Sequence, residues 1–244
     1  MNLTEFKPHS QLASFIDAYW DVTCKEGGTS IGKVLPDGCV DIIINLKEDF
    51  HIESENAVLK SEKAYLGGAI THFMAAKTLP ETHLVGVRFK PAAFSHFYTF
   101  SSLHEVTNSF VELPKEFTPK IISLSNNISF AFDSFFYNKL IQPKRILLPV
   151  IETVKKHYGN ISVNELAGKH FTTVKQLERN FKYHIGLSPK EFINIIRYKF
   201  AQQLILARHP KRTLSDIAFE CGYYDHAHLS NEIKKYTGLA PTEL

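Results

Sequence analysis

Val40, Ile42, Ile44 and Leu46 alternate with Cys39, Asp41, Ile43 and Asn45, directly after the turn formers Pro36-Asp37-Gly38. A period of two behind a turn predicts a strand with one face buried. Val85, Val87 and Phe89 alternate with Gly86, Arg88 and Lys90 and predict a second strand. Between them, Gly67-Gly68-Ala69-Ile70-Thr71 reads as a turn into another strand. Pro91 opens the apolar run Ala92–Tyr98, which suits a short helix with proline in its first turn. Prolines 114, 119 and 143 punctuate the next stretch. Between the last two, Ile121, Ile122, Leu124, Ile128, Phe130, Phe132, Phe135 and Phe136 predict a helix that covers the sheet or enters a dimer interface.

From Ile146 onward the pattern is helical. Ser162-x-x-Glu165, Thr173-x-x-Gln176 and Ser188-x-x-Glu191 each pair a hydroxyl with an acid or amide three residues on, the signature of a capped helix start. Asp225 is placed to cap the last helix, and Gly186 and Gly238 sit where a left-handed residue ends one. The segment also repeats itself. Phe181-Lys182-Tyr183-His184-Ile185-Gly186-Leu187-Ser188-Pro189 matches Ile233-Lys234-Lys235-Tyr236-Thr237-Gly238-Leu239-Ala240-Pro241 at an offset of 52, and Leu166-Ala167 matches Ile217-Ala218 at 51. The one-residue slip falls in a turn, where an insertion costs least. Each copy reads as a short helix, a tight turn and a longer helix with a polar exposed face, the organisation of a helix-turn-helix. The joining stretch, Pro189 to about Arg208, carries Phe192, Ile196, Phe200 and Leu204 at helical spacing. Twenty helical residues span roughly 30 Å, close to the ~34 Å between successive major-groove faces on one side of a duplex. A bundle whose repeat serves packing alone is the competing reading.

Composition adds little until it is divided along the chain. The 244 residues are 44% apolar and 22% charged, as soluble globular chains are, and suffice for one large or two ordinary domains. The net charge of +3 conceals an asymmetry: residues 1–144 hold 13 Lys and Arg against 16 Asp and Glu, residues 145–244 hold 15 against 9. A basic module that faces a polyanion is thus expected behind a mildly acidic one. No apolar run reaches the ~18 residues of a membrane span, and no secretory leader is expected. Three scattered cysteines suit a reducing cytoplasm and give neither a disulfide framework nor a four-cysteine zinc site.

The last hundred residues resemble the DNA-binding domain of the AraC/XylS family of bacterial transcription regulators. The resemblance rests on Ile161-x-x-x-x-Leu166-Ala167, Gln176-Leu177-x-Arg179-x-Phe181-Lys182, Gly186-x-Ser188-Pro189-x-x-Phe192, Ile217-Ala218-x-x-x-Gly222-Tyr223, Asp225-x-x-His228-Leu229-Ser230 and Lys234-x-x-x-Gly238-x-x-Pro241. Together with the strand and helix patterns of the front half, the expected fold is an α+β N-terminal domain followed by an all-α C-terminal domain, with two helix-turn-helix subdomains on a long linker helix. The corresponding expectation is a sensor or regulatory domain over 1–117, a helical connection over 118–144 and the DNA-binding domain over 145–244. The implied partner is double-stranded DNA, read in the major groove over two successive turns, with RNA polymerase as a further partner if the chain is an activator. Lys175, Glu178 and Arg179 fall at the base-reading positions and Thr172 and Thr173 near phosphates, with Gln176 and Lys182 on the same helix. The chemistry is consistent: lysine and arginine donate to guanine, and glutamate accepts from cytosine. The second copy presents His226, His228, Asn231 and Lys234, with Asn231 where the family usually has arginine. Asparagine reads adenine but neutralises no phosphate, so this copy is expected to contribute less affinity. The closing helix of many relatives is expected to be short or missing after Pro241.

Leu35-Pro36-Asp37-Gly38-Cys39-x-Asp41 and Val85-Gly86-x-Arg88-Phe89-x-Pro91 resemble an uncharacterised N-terminal domain of some regulators in that family. Two readings of these residues stand. In one, Arg88 anchors an anionic effector and Cys39 is a thiol sensor, with Asp37 and Asp41 beside them. In the other, Asp37-Gly38 forms a turn and Arg88 pairs with a carboxylate such as Asp41. His72, His83, His96 and His104 show no metal-ligand spacing, and His226-x-His228 lies on the recognition face, so no metal or other cofactor is expected. The motifs of common hydrolases, phosphate loops and zinc proteases are missing, and an alkyl-accepting repair regulator would need four cysteines at one site. The leading reading is a one-component regulator, not an enzyme, whose N-terminal domain senses a small effector or forms a homodimer. The alternatives are an interaction protein that has lost DNA binding, or an enzyme domain fused to a helix-turn-helix module.

Overall fold

A computed structural model describes residues 2–24, 30–52, 57–141, 147–207 and 212–244. Pro143, Ile146 and Arg208, used above as landmarks, lie outside the described residues. The front half is built on strands β1 (Asn2–Phe6), β2 (Ile16–Thr23), β3 (Ser30–Val34), β4 (Val40–Asn45), β5 (Phe50–Ile52), β6 (Ala57–Leu59), β7 (Ala64–Gly67), β8 (Met74–Thr78), β9 (His83–Phe89) and β10 (Phe110–Leu113). Six form an antiparallel sheet in the order β1-β2-β9-β4-β7-β10, while β3 pairs with β8 and β5 with β6.

The period-two pattern of 39–46 becomes β4 at the centre of the sheet, with Val40, Ile42 and Ile44 buried on one face. The strand stops at Asn45, whose buried amide donates to the carbonyls of Glu48 (2.7 Å) and Leu59 (2.8 Å). Asp41 stands opposite Arg88 on β9, so the polar positions of both predicted strands share the other face. On that face the Trp20 indole lies across Gly86, where a Cβ would come within 2.2 Å of the ring, so only glycine fits.

Gly67 closes strand β7, and the stretch after it leads into the next strand, which begins at Met74. Two local expectations are corrected. Ala92–Tyr98 holds a single 3-10 turn, Phe94–His96, because its aromatics pack into the core instead of propagating a helix. The apolar segment after Pro119 is two helices, α1 (Ile121–Asn126) and α2 (Ile128–Lys139), divided where the Asn127 side chain caps α2 by accepting from Phe130 N. Of the two fates predicted for this segment, α2 takes the first and covers the sheet. Phe132 stacks on Tyr19 at 5.0 Å, Phe136 meets Phe89 at 5.4 Å, and Tyr19 OH donates to Asp133.

The remainder is helical: α3 (Leu148–Lys156), α4 (Val163–Lys169), α5 (Val174–His184), α6 (Pro189–Leu206), α7 (Leu214–Glu220) and α8 (His226–Thr237). The internal repeat is realised element by element, since α4 and α7 have seven residues each and α5 and α8 eleven and twelve. Both short helices begin with a full capping box, Ser162 with Glu165 and Thr213 with Asp216. The buried Leu166, Leu177 and Phe181 of one copy match Ile217, Leu229 and Ile233 of the other. The two halves share one apolar core. No described helix is long and apolar enough to cross a membrane.

Candidate nucleic-acid interface

Helix α5 is set by Thr173, whose hydroxyl accepts from Gln176 N at 3.1 Å, and by Leu177 and Phe181, which seat it in the core. That orientation leaves Lys175, Glu178, Arg179 and Lys182 exposed as one stripe at helical spacing. Gln176 differs from its expected capping role. Its amide donates to Asn180 (2.8 Å) and its oxygen accepts from Arg179 (2.7 Å), so it braces the arginine. Thr172 is half-buried beside the cap.

Helix α8 is capped by Asp225, which accepts from His228 N at 2.7 Å, and ends at Gly238 in the left-handed conformation (φ 70°). His226, His228, Asn231 and Lys234 are all exposed, and the His228 ring meets the edge of Tyr223 at 5.2 Å. Linker helix α6 has 18 residues, about 27 Å of rise. Arg197 within it ties the second copy down through Glu232 (3.9 Å) and the face of Tyr223.

Two aromatic side chains escaped the sequence reading. Phe171 is fully exposed and Tyr224 is 86% exposed, and each stands one or two residues before the cap of a recognition helix. They do not occupy equivalent places in the repeat, since Phe171 lies two residues before Thr173 and Tyr224 one before Asp225, so the repeat gave no signal for them.

The carboxyl ends of both recognition helices rest on the N-terminal half. Gly186 O accepts from Thr107 Oγ1 (2.7 Å) and His104 Nδ1 (2.9 Å), and Tyr183 OH donates to Phe100 O (2.8 Å). In the second copy Thr237 O accepts from Lys33 Nζ at 2.9 Å.

Asp37, Cys39, Asp41 and Arg88 are brought together. Arg88 lies 3.4 Å from Asp41 and 3.8 Å from both Asp37 and Glu5, the carboxylate pairing that was the second reading of this strand. Asp37 also accepts from Cys39 N, as a turn aspartate does. Burial pushes the Asp41 carboxyl up to about 6, against the pull of Arg88, and pushes the Cys39 thiol well above its ordinary value. All four line a cavity of about 500 Å³ between the sheet and α6. Among the described residues no three His, Cys, Asp or Glu side chains are grouped to hold a metal ion.

Residues 166–244 match the family model of a helix-turn-helix domain. The chain is also similar to the HTH-type transcriptional activator RhaS, with 29% identity over 96 residues to that of Escherichia fergusonii and 30% over 92 residues to that of Klebsiella pneumoniae strain 342. The C-terminal domain is an AraC-type helix-turn-helix domain. The matches cover 39% and 37% of this chain and only 34% and 32% of those relatives. Residues 4–112 match a family described as a domain of unknown function, DUF6597. Among solved structures, ToxT from Vibrio cholerae is similar over 88% of this chain and 96% of its own, with 14% identity and a TM-score of 0.49. The DNA-binding domain of AdpA in complex with a target DNA is similar over 39% of this chain and 86% of its own, at 21% identity and a TM-score of 0.36.

Proposed function

We propose that the chain is a sequence-specific, DNA-binding transcription regulator of the one-component type. The observation that carries this reading is the pair of exposed polar faces, on α5 and on α8, displayed by two equivalent scaffolds joined through α6. Lys175, Arg179 and Lys182 on the first face and Lys234 on the second supply the positive charge that phosphate contacts need. Thr172 and Thr173 lie at the phosphate end of α5, while Glu178, Gln176, His226, His228 and Asn231 supply base-edge donors and acceptors. The N-terminal half acts as the sensor, with the cavity beside Asp37, Cys39, Asp41 and Arg88 as the effector site, or as the dimerisation module. RNA polymerase is a further partner if regulation is by activation.

A gel shift of the full chain with fragments flanking its own gene tests the reading. Specific retardation should weaken steeply with salt, because each neutralised phosphate releases counterions. No retardation by any fragment, or a flat salt response, overturns it.

A further inference from the structure

Arg179 does not stand on α5 as a free cation. Its Nη2 donates to Gln176 Oε1 at 2.7 Å, and Gln176 Nε2 donates in turn to Asn180 Oδ1 at 2.8 Å. The guanidinium fixes the direction of this relay, because it has donors and no acceptor. The Gln176 oxygen must face Arg179, its NH2 group must face away, and the oxygen of Asn180 is what receives it. The spacing is that of helix neighbours, three residues from Gln176 to Arg179 and four to Asn180. Gln176 and Asn180 are half-buried, whereas Arg179 is exposed. A long side chain loses conformational freedom when a ligand fixes it, and bracing it beforehand removes part of that cost. The brace is also neutral. A carboxylate in place of the Gln176 amide would offset the positive charge, whereas the amide leaves it whole and occupies one of the five guanidinium N–H groups. Those that remain suffice for paired bonds to O6 and N7 of one guanine.

The second copy is built otherwise. At the offset of 52, His228, Asn231 and Glu232 stand where Gln176, Arg179 and Asn180 stand in the first. His228 meets the Tyr223 ring at 5.2 Å, and Glu232 accepts from Tyr223 OH at 3.4 Å and lies 3.9 Å from Arg197. Both brace positions are engaged with Tyr223 instead.

We propose that Gln176 is a positioning residue for DNA recognition: supported by Asn180, it holds the Arg179 guanidinium ready for a guanine and so sets specificity at one base pair. The proposal rests on the DNA-binding reading of α5 and deepens it, giving Gln176 a part played through Arg179 in place of a base contact of its own.

Selection by the full chain from a pool of random-sequence duplexes, followed by titration of the selected duplex, tests this. The substitutions are mild, because the Gln176 backbone N–H keeps its bond to Thr173 Oγ1 and alanine favours a helix. Arg179→Ala should abolish the preference for one guanine of the selected sequence. Discrimination is read as the ratio of Kd values for the selected duplex and for one with that guanine-cytosine pair replaced by adenine-thymine. Gln176→Ala should reduce this ratio by about three- to tenfold, the range that ordering one long side chain spans, and Asn180→Ala should reduce it by less. The double variant Gln176→Ala/Arg179→Ala should discriminate as Arg179→Ala does. A merely structural role would lower the melting temperature and weaken binding to both duplexes alike, and that result overturns the proposal. So does a Gln176→Ala protein that discriminates as the unsubstituted chain does, or one whose preference falls at a base pair that Arg179→Ala leaves alone, since Gln176 would then read that base directly. So, too, does an Arg179→Ala protein that keeps every guanine preference. In each of these cases the regulator reading stands. If the unsubstituted chain selects no sequence, the regulator reading falls and this proposal falls with it.

Discussion

In the first helix-turn-helix copy, α5 exposes Lys175, Glu178, Arg179 and Lys182; in the second, α8 exposes His226, His228, Asn231 and Lys234. Beneath these faces the copies are nearly the same object. Short helices of equal length start with the same capping device, and matched apolar residues are buried at matched positions. What the repeat preserves is what packing demands; what has diverged is the part that meets water or DNA. The first face is rich in fixed positive charge and suits a grip on phosphates. The second is a set of base-edge donors and acceptors with one lysine, and suits reading more than holding.

Substitutions at equivalent positions test this division, beginning with those expected to matter most. Phe181→Ala should cost about 3–5 kcal/mol of stability and Ile233→Ala about 2–5 kcal/mol, measured by urea unfolding. Phe181 should cost more because its ring also packs on Phe192 at 5.7 Å; a larger loss at Ile233 would make the second copy the better anchored. On the DNA side, Arg179→Ala should weaken operator binding by about 1–3 kcal/mol, and Asn231→Ala by less. An equal or larger loss from Asn231→Ala in a binding titration would sink the idea that the first copy grips harder. Removing the caps should be milder: Thr173→Ala and Asp225→Ala are each expected to cost about 1 kcal/mol. The aspartate should be the more costly, since its charge also complements the helix dipole, and melting temperatures check the order. Last, Lys175→Ala should lower the salt slope of DNA binding by about one unit, while Asn231→Ala should leave that slope unchanged.

The helical half was legible because its signals are local. The capping pairs at Ser162, Ser188 and Asp225 and the repeat at Phe181 and Ile233 each lie within a few residues of the feature they specify. Thr213 with Asp216 is the same device and was overlooked, an aspartate standing where glutamate or glutamine is the usual signal. The front half was harder. Strands β4 and β9 sit at the centre of the sheet and alternate in sequence over Val40–Ile44 and Val85–Phe89, whereas β1, exposed at four of its five residues, gives no pattern to find. The break at Asn127 depends on a side-chain cap within an otherwise apolar run, and Gly86 is explained only by the indole lying over it. Nor does spacing reveal that Glu5 completes the carboxylates around Arg88, for it arrives from the other end of the domain.

The bond between Lys33 and the carbonyl of Thr237 joins residues 204 positions apart. Closing so long a loop costs more entropy than any local contact, and topologies dominated by such contacts fold slowly. A contact of this sequence separation is expected to form after the local ones, a prediction that substituting Lys33 tests by leaving the folding rate unchanged while unfolding speeds up. The same seam holds Gly238, where an added Cβ would come within 2.6 Å of the Phe73 ring. Strand β3 and the end of α8 thus share one fastening, so a substitution at Lys33 is expected to be felt at α8.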